Sequence, residues 1–242
     1  MIDQKVALIM GAGDAIGGAI AKEFAMKGYV VCMARRSAEA IEEYAEELRG
    51  GGHQAFGFGV DARKEEEVEK LFEKIESSIG EIEVVVFNIG ANVPMSILDT
   101  TAKKFYKIWE MACFSGFLVG REAARVMTPR KRGTIIFTGA TASIRGGAIF
   151  GAFASAKHGL RALAQSMARE LGPKNIHVAH VVIDAAVDTQ WIRDNHPDYS
   201  KMAENDGVVK PEDLAKNYLM LHEQPRNAWT FELDIRPWVE KW

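Results

Sequence analysis

Cysteine is scarce in this chain: only Cys32 and Cys113 occur among 242 residues. The first lies in an apolar run and the second in a helical pattern, so the pair offers neither a disulfide framework nor clustered metal ligands. No metal site is expected, and a reducing, cytoplasmic setting fits. Long apolar runs are also missing. No stretch approaches the roughly 20 residues that cross a bilayer, and the N-terminal MIDQKVALIM leads straight into a strand pattern without a charged leader. Nor is there an excess of positive charge. The formal net charge of -3 gives no basic field for nucleic acid and no polybasic anchor for a membrane. One dense charge run, RKEEEVEKLFEKIE, carries Val68, Leu71, Phe72 and Ile75 at helical spacing, so its charges read as the solvated face of a helix.

What is present is regular. Continuous apolar runs such as KVALIM, YVVCMA, EVVVFN, GTIIFT and IHVAHVVI alternate with helical patterns, including long ones near 101 to 127 and 151 to 171. Val/Ile runs bounded by turns are what parallel strands covered on both faces look like. Their alternation with helices implies an α/β fold with a doubly wound parallel sheet. With no linker, repeat or low-complexity segment, 1–242 reads as a single domain, and 242 residues suffice for one large core.

The first strand runs into LIMGAGDAIGGAIAKEF, a Gly-rich turn that opens a helix. Gly11 suits a tight turn, Gly13 relieves it further, and Gly17 allows helix and sheet to pack closely. Asp14, Ala15 and Ile16 complete a helix N-terminus whose N–H groups suit a pyrophosphate. Arg35 and Arg36 close the second strand, where an NAD site usually carries an acidic residue; two guanidiniums suit a 2′-phosphate instead. Asp61 and Ala62, just past the third strand, are placed to meet an adenine, and Asn88 and Gly90 form a turn that can lie against a ribose.

These motifs resemble the short-chain dehydrogenase/reductase family over essentially the whole chain. The family carries a Thr-Gly-x-x-x-Gly-x-Gly turn, matched here by Gly11 and Gly17, with Met10 and Ala15 replacing the Thr and the middle Gly. Its Asn-Asn-Ala-Gly turn survives in part as Asn88 and Gly90, and Lys157 matches the lysine of its Tyr-x-x-x-Lys pair. The resemblance implies a Rossmann-type sheet, NADP(H) as cofactor and a C-terminal substrate-loop region over about 185–242. It also implies that Lys157 holds the nicotinamide ribose, that Asp184 lies beside the nicotinamide and that Thr189 meets its amide. Family members commonly pair through the two long helices, which implies a homodimer or homotetramer. Met95, Phe150, Trp191 and His196 fall in loops that flank the site in the family.

At the chemical end the family pattern is broken. The tyrosine position is Phe153, the serine position Ala140 and the asparagine position Cys113. Lys157 stays, four residues after Phe153 and therefore on the same helix face. Thr141 and Ser143 can hydrogen-bond a substrate oxygen or cap a turn. Asp184 can serve as a proton donor if burial raises its pKa, or cap the following turn. Ser155 and His158 face away and read as structural. Two functions remain open on this evidence. One is an NADP(H)-dependent oxidoreductase with an altered active site, transferring hydride to or from a small or medium apolar carbonyl, alcohol or activated alkene. The other is a non-catalytic NADP-binding sensor or scaffold.

Overall fold

The computed structural model describes residues 4–241. Six strands fall on the apolar runs: β1 (Lys5–Met10), β2 (Val30–Arg35), β3 (Ala55–Gly59), β4 (Glu81–Phe87), β5 (Thr134–Thr138) and β6 (His177–Ile183). Between them lie α1 (Ile16–Met26), α2 (Ala38–Gly50) and α3 (Glu65–Ser78). After β4 come α4 (Ala102–Trp109), a π-helical segment (Glu110–Phe114) and α5 (Ser115–Arg130); α6 (Gly151–Leu171) precedes β6. The chain continues through β7 (Ala186–Val187), α7 (Gln190–Asn195), α8 (Tyr199–Glu204), β8 (Val208–Val209) and α9 (Pro211–Glu223) to β9 (Glu232–Ile235). Seven strands pair in the order β3-β2-β1-β4-β5-β6-β9, every neighbour parallel.

The two-faced burial of parallel strands explains the apolar runs. On β1, Val6, Leu8 and Met10 enter the layer shared with α3, α5 and α6, while Ala7 and Ile9 enter the layer shared with α1, α2 and α9. Helix starts follow their caps: the hydroxyl of Ser37 accepts from the N–H of Ala40 and that of Thr101 from the N–H of Lys104. The π-helical segment is marked by Ser115, whose hydroxyl donates to the Met111 carbonyl at 2.6 Å and so competes with the helix ladder. Strand order reverses between β1 and β4, which opens a crevice at their carboxyl ends.

The region 185–242 differs from the loop region expected. α9 buries Leu214, Tyr218 and Leu221 in the layer under α1, and the Tyr218 hydroxyl meets Thr138 Oγ1 at 2.8 Å. β9 completes the sheet with His180 opposite Glu232 in register. Four residues, ELDI, are too few for a strand period to stand out in sequence. Of the two tail tryptophans, Trp238 is 81% exposed and so is not docked on the body of its own chain, and Trp242 lies outside the described residues. Among the described residues no helix is long and apolar enough to cross a membrane.

Candidate active site

Two turns meet at the crevice. Gly11 has φ +88°, and a Cβ there would sit 2.7 Å from the Asn88 carbonyl oxygen. Asn88 locks this approach by donating its Nδ2 to the Gly11 carbonyl at 3.1 Å and its backbone N–H to the Met10 carbonyl at 2.8 Å. A Cβ on Gly17 would lie 2.6 Å from the Ala12 Cα, so α1 packs against the turn only with glycine there. Ala15 gives α1 no side-chain cap, which leaves the helix start to a ligand. Gly13 and Gly90 face open space where a Cβ would stand.

A cleft of about 580 Å³ runs from these turns past Arg35, Arg36, Asp61 and Ala62. Arg35 Nη1 is 3.3 Å from Asp14 Oδ1, and both groups remain accessible. Asp61 is held by a group that the sequence reading did not single out. Arg63 donates to it from Nε at 2.8 Å and Nη2 at 2.5 Å, and its backbone N–H donates at 3.2 Å. The hydrogen bonds from Arg63 hold the Asp61 carboxyl below the usual carboxylate range. Three guanidiniums therefore line this end; Asp61 and Asp14 are each paired with one of them, and Glu110 lies 3.9 Å from Arg63.

At the other end, α6 carries Lys157 inward. Its side chain is buried, with Nζ donating to the Thr138 carbonyl at 2.8 Å and the Ile89 carbonyl at 3.2 Å, at the carboxyl ends of β5 and β4. Burial pushes Lys157 down to about 8. Phe153 is buried in a small apolar cluster with Ala112, Cys113, Ala142 and Ala156. Cys113 comes from the π-helical segment, and its thiol is pushed up by burial, with Lys157 opposing. A Cβ on Gly159 would fall 2.9 Å from the Cys113 sulfur, so glycine lets that segment reach α6.

The remaining polar candidates separate. A short 3-10 turn (Thr141–Ser143) follows β5. The Ser143 hydroxyl accepts from the Ala140 N–H at 3.1 Å while the Ser143 N–H donates to the Ala140 carbonyl at 2.7 Å, so this side chain closes its own turn and is fully buried. Thr141 Oγ1 donates to Asp184 Oδ1 at 2.5 Å. Asp184 also meets Arg145 at 3.2 Å and Arg236 at 3.6 Å. Thr189 caps α7 by accepting from the Ile192 N–H at 3.2 Å. Ser155 donates to the Gly151 carbonyl and the His158 ring lies 2.9 Å from the Ala154 carbonyl oxygen, both within α6. Among the flanking loop residues, Met95 donates its N–H to the Ile149 carbonyl at 2.6 Å, and Trp191 is exposed.

His180, absent from the sequence reading, stands behind this turn. Its Nδ1 is 3.0 Å from Glu232 Oε2, and Glu232 takes two bonds from Arg161 at 2.6 and 2.7 Å. Its Nε2 edge fills the place of a Gly139 Cβ, 2.4 Å from that point. Desolvation pushes the ring down to about 4. Only the pairing of β6 with β9 brings these groups together, and no local pattern announces it.

The comparisons agree with this geometry. The family model described as short chain dehydrogenase matches residues 5–199. A 2-dehydro-3-deoxy-D-gluconate 5-dehydrogenase from Formosa agariphila is 31% identical over 179 residues, spanning 72% of this chain and 66% of that protein. The crystal structure of a short-chain dehydrogenase from Rhodopseudomonas palustris is 45% identical, with a TM-score of 0.83 over 97% of this chain and 99% of the other. A 7 alpha-hydroxysteroid dehydrogenase complexed with NADH and 7-oxo glycochenodeoxycholic acid is 28% identical, with a TM-score of 0.86 over 97% of this chain and 94% of the other. With the family model matched over most of the chain, the chain belongs to the short-chain dehydrogenase family, a family of oxidoreductases.

Proposed function

We propose that the chain binds NADP(H) and moves a hydride to or from a small or medium apolar carbonyl, alcohol or activated alkene, with an active site that lacks the phenol. The residues present fit a dinucleotide. Gly13 and Gly90 leave room where side chains would intrude, and the start of α1 is uncapped. The bound nicotinamide would supply the hydride; this chain's part is to hold, orient and shield it. Lys157 is suited to anchor the ribose, and Phe153 and Ala140 offer a substrate no hydroxyl.

The observation that carries NADP(H) over NAD(H) is the charge at the adenosine end. Arg35, Arg36 and Arg63 line the cleft, while Asp61 is held by Arg63 and the exposed Asp14 faces Arg35, so among the described residues lining it Asp61 is the one carboxylate and it is already paired. A fluorescence titration of NADPH with NADH as competitor tests this. Tighter NADPH binding is expected, and a preference for NADH sinks the assignment.

A second reading, a non-catalytic NADP-binding sensor or scaffold, draws support from Phe153, Ala140 and Cys113, three positions where protic relay groups are missing, and from the pairing of Thr141 with Asp184. Tight NADPH binding with no oxidation by any apolar carbonyl or enone favours it. Self-association through α4–α5 and α6 is also proposed. Its support is a row of rings on α4, the π-helical segment and α5: Tyr106, Trp109, Phe114 and Phe117 follow one another at 6.0–6.3 Å, the middle pair stacked and the outer two pairs tilted, with Tyr106 and Phe117 exposed.

A further inference from the structure

Lys157 is an ammonium stripped of water and given no carboxylate in return. Its side chain is 3% exposed, and among the described residues its hydrogen bonds go to two neutral carbonyls, those of Thr138 and Ile89. An ammonium carries three N–H donors. Two are used, and the third has no protein acceptor among the described residues. The amine sits 5.9 Å from the centre of the Phe153 ring, on the helix face that the two side chains share. Buried cations without a counter-charge are costly and mark function more often than stability.

The other protic side chains nearby are spent. The Thr141 hydroxyl donates to Asp184, which lies between Arg145 and Arg236, and the Ser143 hydroxyl is turned into its own turn. The geometry points to Lys157 itself as the acid and base of the reaction, exchanging a proton with the substrate through its third N–H where the family pattern would use a phenol. This rests on the oxidoreductase reading above. In the reductive direction the substrate carbon receives a hydride, with its two electrons, from a reduced nicotinamide. An N–H bond of Lys157 breaks, an O–H bond forms on the former carbonyl oxygen, and the neutral amine regains its proton from solvent. Oxidation follows the same path in reverse.

The surroundings leave Lys157 as the group that exchanges near neutral pH. Burial brings it to about 8, close to the value that serves both directions of transfer. Cys113, facing it from the π-helical segment, is raised by burial, and His180, interacting with it from β6, is lowered to about 4. Both are neutral at pH 7, so neither quenches nor duplicates the ammonium.

Two measurements decide the matter. Nitrogen-15 lysine labelling follows every Nζ against pH in the whole chain, with Lys157→Arg identifying the signal. One Nζ is expected to titrate near 8, below the ordinary lysine value of about 10.4. Lys157→Arg keeps a cation for the ribose but cannot release a proton in the working range. With an activated apolar α-diketone as hydride acceptor, this variant is expected to hold NADPH within about threefold and keep KM, while kcat falls ~100-fold or more. Adding Phe153→Tyr to it is expected to recover part of kcat. A Lys157 signal that titrates with the other lysines, or a Lys157→Arg chain with undiminished kcat, overturns the acid role and leaves the proposed function standing. A wild-type chain that does not bind NADPH, or binds it and reduces nothing, overturns the proposed function and the acid role with it.

Discussion

Lys157 and Phe153 form a buried cation–ring pair, Nζ to ring centre 5.9 Å, in which neither partner carries a negative charge. The folded chain holds Lys157 near 8 against about 10.5 when unfolded, so below pH 8 both states carry the proton and the folded state bears the full desolvation cost. As pH rises from about 8 to 10.5 the folded chain releases the proton first and gains stability. Lys157→Met is therefore expected to stabilise the chain at pH 7, by up to about 3 kcal/mol, with the advantage fading toward pH 10. Urea unfolding at the two pH values measures it.

Phe153→Tyr places a phenol one helical turn before Lys157, where the ammonium favours the phenolate. Turnover of an activated diketone is expected to rise at least tenfold, up to the roughly 10²- to 10⁴-fold that general acid help supplies. Steady-state rates on the two chains compare directly, and equal rates would show that position 153 does not face the substrate.

Arg35→Ser and Arg36→Ala each remove a charged donor from the adenosine end. A charge-assisted bond contributes about 1.5–3 kcal/mol, so NADPH affinity is expected to drop roughly ten- to hundredfold for the residue that meets the phosphate. NADH affinity should change little. Arg63→Ala should act differently, freeing Asp61 and bringing the two affinities closer together. Competition titrations separate these outcomes.

Gly11→Ala meets two obstacles at once, φ +88° and the Asn88 carbonyl oxygen at 2.7 Å. It is expected to cost about 1–3 kcal/mol and to weaken cofactor binding more than Gly13→Ala, whose added methyl meets only open space. Thermal melts with and without NADPH rank the two variants.

Phe117→Glu puts a charge at the exposed α5 end of the aromatic row. If copies of the chain meet along that helix, light scattering should show a smaller species with unchanged cofactor affinity. An unchanged mass would move the contact elsewhere.

The parts of this molecule that a local pattern encodes were readable from sequence. Apolar runs announced six strands, the glycines announced the turn after β1, and the i, i+4 spacing placed Phe153 and Lys157 together. What escaped depends on pairings distant in the chain. β9 is recognisable only beside β6, and with it go His180, Glu232 and Arg161. Asp61 was legible as a cleft residue, yet its partner stands only two positions away: Arg63 turns back upon it, a side-chain choice that spacing does not fix. Thr141 and Asp184 were both singled out, but not as each other's partners, since 43 positions separate them.

The register of His180 with Glu232 also sets a timetable. A chain emerging N-terminus first can form β1 to β5 and their helices early, but the Arg161–Glu232–His180 column behind Gly139 waits for residue 232. Arg236 then reaches Asp184 beneath the same turn. Parallel pairing of this range is slow. The turn after β5 is thus assembled late, and hydrogen exchange during refolding should find the amides of 139–143 among the last to gain protection.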